Sequence, residues 1–155
     1  MEAVGVEKIE TYFELAALCD VISVHLPKIP KTDFDPGTVD IINEEFLSKM
    51  KCDGTLINTS RGDLVDDDAL IAKLDACPKF YAAVDVYRGE PQVKECEFVH
   101  PFGKHDRVYT THHIGASTKQ SEAAIGEEAL RIVKKFGATK VPSNVINYGK
   151  FVKKA

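Results

Sequence analysis

Three side chains in this sequence have types and settings suited to acid–base chemistry on a small anion. They are Arg61 in "NTSRG", Glu90 in "RGEP" and one of the two histidines of "THHIG", His112 or His113, the other being structural. Arginine presents a planar fork matched to a carboxylate, a geometry lysine cannot reproduce. Histidine gives or takes a proton near neutral pH, and a glutamate beside it holds the imidazole and favours its charged form. A small hydroxy or keto acid is the substrate such a trio suits. His25 in "SVHLP" and Asp85 in "AAVDVY" add two ionisable groups, the second inside an apolar run where a carboxylate needs a partner. Plainer readings stand beside these: Arg61 paired with Asp63, His25 as a hydrogen-bonded structural histidine, Glu90-Pro91 as a turn. The aspartates at 66 to 68 suit helix capping and dipole matching, and no metal site is expected.

Such groups act together only if the chain carries them to one place. Apolar, β-branched runs alternate with helical patterns along the sequence. "DVISVHLP", "GTLINTS", "YAAVDVY" and "RVYTTHH" read as strands. "TYFELAALCD" opens with a capping box of Thr11 and Glu14, and Asn43 caps "NEEFLSKMK". "DDDALIAKLDAC" is a helix halted near Pro78. From Thr118 to Phe136, Ile125, Ala129, Ile132, Val133 and Phe136 form one apolar stripe, with Gly137 as the expected stop. "KIPKTDFDPGTVD" reads as a loop.

Strands alternating with helices predict an α/β fold, an open parallel sheet with helices on both faces. In such a sheet ligands bind beyond the carboxyl ends of the strands. Those ends deliver His25, then Asn58 to Gly62, then Asp85, then Thr111 to Gly115. Every predicted strand brings a polar or ionisable group to the same edge.

The composition agrees with an ordinary folded domain: 44% hydrophobic and 28% charged residues in 155 positions. A formal charge of −4 argues against a nucleic-acid partner, and no apolar run is long enough to span a membrane. "MEAVGVEKIE" has no signal pattern, so a cytoplasmic location is expected. Cys19, Cys52, Cys77 and Cys96 are widely spread without a Cys-x-x-Cys pair, which predicts reduced, packed thiols. The lysine-rich "GKFVKKA" reads as a frayed tail.

Four stretches together resemble one family, the D-isomer-specific 2-hydroxyacid dehydrogenases, particularly those acting on 3-phosphoglycerate. They are "CDVISVHLP", "INEEFLSKMKCDGTLINTSRGDLVDDDAL", "AAVDVYRGEP" and "HHIGASTKQSEAAIGEEA", in the family's order and nearly its spacing. The resemblance implies NAD as cofactor and a 2-hydroxy or 2-keto acid as substrate. It implies that Arg61 clamps the substrate carboxylate, that His113 is the acid/base, and that Glu90 orients it. Asp85 matches the aspartate that holds the nicotinamide carboxamide, and His25, Pro27, Thr59 and Gly115 match cofactor-lining positions. The phosphoglycerate preference rests on "GAST" and the helix after it.

The sequence departs from that pattern in places. His112 stands where the family usually has proline, and the loop around "DFDPGT" is longer than usual. The family's glycine-rich phosphate turn has no counterpart, since Gly5 stands alone in the first 36 residues. The expectation is therefore an incomplete Rossmann-type NAD-binding domain over residues 1–140, followed by a tail over 141–155. The Val21–Leu26 strand would then lie at an edge, covered in a homo-oligomer or by a partner chain. A catalytically silent relative that serves as an assembly module is the alternative.

Overall fold

A computed structural model describes residues 5–91 and 97–143. Cys96 and the "GKFVKKA" tail lie outside them. The chain divides into two compact units after Ile114.

The first unit begins with α1 (Tyr12–Leu18), where Thr11 and Glu14 close the expected capping box on each other's backbone N–H. β1 (Val21–Val24) follows, then a long loop that folds back on itself: Thr38 N–H donates to the Ile29 carbonyl, and the Thr38 hydroxyl donates to that of Pro27. Asn43 caps α2 (Glu44–Lys49) by accepting from Phe46 N–H, a bond contributing about 1 kcal/mol. β2 (Thr55–Asn58) leads through a short 3-10 turn, Gly62–Leu64, to α3 (Asp67–Ala76), capped by Asp66. β3 (Tyr81–Val84) and β4 (Val108–Thr110) complete the sheet.

The strands are all parallel and lie in the order β1-β2-β3-β4. This is the parallel α/β sheet flanked by helices that the alternation predicts. Its packed face carries Ile22, Val24, Leu56, Ala82, Val84 and Val108. They share one buried cluster with Phe46 and Leu47 of α2, Leu70 and Leu74 of α3, and Phe80. Side chains alternate across a strand, so Val21, Tyr81 and Tyr109 stand on the opposite face. They are 56%, 52% and 72% exposed.

Cys52 and Cys77 are joined by a disulfide, with Cα atoms 5.0 Å apart, which corrects the expectation of reduced thiols for this pair. α2 and α3 pack side by side, and the two cysteines lie just past their ends, close in space though 25 residues apart in sequence. Cys19 is a free thiol.

The second unit holds α4 (Lys119–Thr139), capped by the Thr118 hydroxyl. It runs through Gly137, the expected stop, and ends instead at Lys140, which adopts left-handed backbone at φ 58°. A glycine inside a helix costs only about 1 kcal/mol and does not by itself end it. None of the residues of α4 is buried, and Ile125, Val133 and Phe136 of the apolar stripe are exposed.

Candidate functional site

The register of the sheet explains how separate segments reach one edge. Val24 lies beside Asn58, Asn58 beside Val84, and Val84 beside Thr110, so the strands end in one row. His25, Thr59, Asp85 and Thr111 are each the next residue after that row. The pairing continues one step further, since Asp85 N–H donates to the Asn58 carbonyl and Thr111 N–H to that of Val84.

Asn58, almost fully buried, shapes the turn that follows β2. Its amide donates to the Arg61 carbonyl and its carbonyl oxygen accepts from Ser60 N–H. The Ser60 hydroxyl ties the same turn to the Leu26 carbonyl after β1. Arg61 is left exposed, its guanidinium donating to the Ser60 carbonyl at 2.6 Å. The plain alternative for Arg61, a pair with Asp63, is not what forms: the Asp63 carboxylate meets Lys28 at 2.9 Å. Among the described residues Arg61 makes no ion pair.

Gly62 then passes against the loop that follows β3. A Cβ there would lie 1.9 Å from the Tyr87 carbonyl carbon and 2.3 Å from Arg88 N, so only glycine permits the approach. Arg88 reinforces the contact, donating to the Val65 carbonyl at 2.8 Å and pairing with the Asp40 carboxylate. It also stands 4.0 Å from Asp67, whose carboxyl burial raises above its ordinary value against the opposing pull of His100 and Arg88. The turn bearing Arg61 and the loop bearing Glu90 are thus held together through backbone.

Glu90 and His113 meet directly. The Glu90 carboxylate lies 2.8 and 3.0 Å from His113 Nδ1, with both side chains partly exposed. A carboxylate can only accept, so Nδ1 is the donor in this pair, and in the neutral form of the imidazole the lone pair then lies at Nε2. His113 itself sits in left-handed backbone at φ 56°. The Tyr87 hydroxyl donates to the Thr111 carbonyl just before it, and burial pushes that phenol above its ordinary value, keeping it a donor.

The remaining expected site residues are placed as follows. His25 is exposed, with Nε2 2.8 Å from the Ser23 hydroxyl. Pro27 and Thr59 are exposed, and Asp85 is buried. Gly115 is the first residue of the second unit and is described with it. Sequence reasoning placed Gly62 and Thr111 at this edge without their contacts, and did not single out Tyr87 or Arg88 as parts of the scaffold. The glycine after Arg61 was the one visible signal, and what it meets became apparent only once the loops were placed.

A dinucleotide cofactor asks for backbone N–H groups around its pyrophosphate and polar side chains around its reacting ring. The donor and acceptor set at this edge, with Thr59, Asp85 and the Glu90–His113 pair, fits the reacting end. Among the described residues no strand leads through a glycine-rich turn into a helix.

Residues 1–115 match the model of a protein family described as "D-isomer specific 2-hydroxyacid dehydrogenase, NAD binding domain". The chain is 34% identical over 131 residues to D-3-phosphoglycerate dehydrogenase 2, chloroplastic, of Arabidopsis thaliana, which covers 84% of this chain and 19% of that protein. Its fold is similar to apo D-mandelate dehydrogenase of Rhodotorula graminis, with a TM-score of 0.67 and 29% identity over 84% of this chain and 34% of that one. It is also similar to the NAD complexed form of a D-isomer specific 2-hydroxyacid dehydrogenase from Lactobacillus delbrueckii, with a TM-score of 0.72 and 26% identity over 87% and 42%. The chain spans between 19% and 32% of the length of the curated relatives matched above and others like them.

Proposed function

Because the chain belongs to the D-isomer specific 2-hydroxyacid dehydrogenase family through its NAD-binding domain, we propose that it serves NAD-dependent interconversion of a 2-hydroxy acid and a 2-keto acid. The observation that carries this reading is the Glu90–His113 pair, 2.8 Å apart, at an edge where Arg61 is exposed. His113 Nε2 takes the substrate hydroxyl proton as the carbon beside it loses hydride. The Glu90 carboxylate stabilises the imidazolium that results, and Arg61 receives the substrate carboxylate as a planar fork. When bound, the nicotinamide supplies the hydride acceptor. In the reverse direction the imidazolium returns the proton to the carbonyl oxygen. A phosphoglycerate-type hydroxy acid is the first substrate to test, supported by "GAST" and by likeness to the Arabidopsis protein.

An NADH fluorescence titration of the purified chain tests the cofactor half, since the sequence has no tryptophan to interfere. Saturable binding at micromolar NADH is expected. No response up to millimolar NADH would remove the cofactor from the reading of this chain.

Among the described residues β1 has a strand neighbour on one side only, and its Val21 is 56% exposed. Such an edge favours pairing with another chain, and a second copy is the expected occupant. Sedimentation should give a species larger than the 17.1 kDa of one chain. A monomer at tens of micromolar would remove this part of the proposal. An assembled chain that ignores NADH favours the second reading, a silent relative acting as an assembly module.

A further inference from the structure

We propose that Asp85 is a positioning residue for His113, clamping the turn that aims its imidazole at Glu90. This rests on the dehydrogenase reading for its purpose but not for its test. Asp85 lies one residue past β3 and is 6% exposed, so its carboxylate requires donors. Thr111 Oγ1–H and Ile114 N–H both donate to the same oxygen, Oδ1, the second at 2.9 Å. The two donors stand on either side of His112 and His113. Between them His113 is held at φ 56°, a region L side chains rarely adopt unless the surroundings impose it. Tyr87 adds a tie to the Thr111 carbonyl at the same point. One buried oxygen thus grips both ends of the segment carrying the acid/base group. The family likeness gives Asp85 a different task, contact with the nicotinamide, and the two roles predict different results.

The test is a long-range ¹H–¹⁵N NMR spectrum of histidine imidazoles in the cofactor-free chain at about pH 9, where ordinary imidazoles are neutral. In the unaltered chain His113 is expected as the Nδ1–H tautomer fixed by Glu90. Asp85→Ala should convert it to a mixture resembling exposed His112. Asp85→Asn should keep the Nδ1–H form, because both clamp bonds use one oxygen that asparagine retains. Methyl signals of buried Leu70 and Leu74 report whether each variant is folded. Thr111→Val removes one donor without touching the carboxylate, and should move the His113 signal in the same direction. An unchanged His113 tautomer in Asp85→Ala or in Thr111→Val overturns the clamp, as does its loss in Asp85→Asn. Loss of NADH binding in Asp85→Ala with the tautomer intact would overturn it too, in favour of direct cofactor contact.

Discussion

Gly62→Ala lowers the stability of the chain by about 3 kcal/mol or more, measured by urea unfolding. Overpacking usually costs about 1–3 kcal/mol because a side chain can turn aside. Here the new methyl would meet backbone, 1.9 Å from the Tyr87 carbonyl carbon, and no rotamer relieves that. The two loops must move apart, taking Arg61 away from the segment that carries Glu90. The Arg88 bond to the Val65 carbonyl would lengthen with them. Gly126→Ala in α4 is the control, since a methyl there meets nothing within 4 Å. If Gly62→Ala unfolds at the same urea concentration as the parent, the close approach is not what holds these loops.

The second large effect is on rate. If the chain turns over a 2-keto acid with NADH as proposed, His113→Asn is expected to reduce kcat by about 10²–10⁴-fold, the usual range for a positioned general acid or base. KM for the keto acid should change little, because on the proposed reading Arg61 still receives the carboxylate. His112 supplies the comparison. It is exposed, and the Glu90 carboxylate bonds its neighbour, so His112→Asn should leave kcat close to that of the parent. A loss below about tenfold in His113→Asn would mean that another group moves the proton.

Helix starts were legible because their signals are local. Thr11 with Glu14, Asn43 and Asp66 each satisfy a backbone N–H three residues on, and a reader needs only those residues to see it. The strand ends were legible for a related reason: a polar residue closing an apolar run marks where the chain leaves the sheet. The end of α4 was not, because a glycine stops a helix only when the chain needs left-handed backbone at that point, and here Lys140 takes that conformation. The Cys52–Cys77 bond was hidden because it depends on α2 lying beside α3, which no spacing in the sequence records. The scaffold of the candidate site failed to show for the same reason. Tyr87, Arg88 and Thr111 matter through what they touch across loops, and their residue types alone say little.

The strand order β1-β2-β3-β4 has a kinetic side. Each strand pairs with the one made just before it, so no strand has to be threaded between two that are already joined. A sheet of this kind can grow in the order in which a ribosome releases it, each connection closing over the chain released since the strand before. Glu90 emerges after β3, and His113 emerges only after β4. The Glu90–His113 pair can therefore form only after all four strands of the sheet have been released.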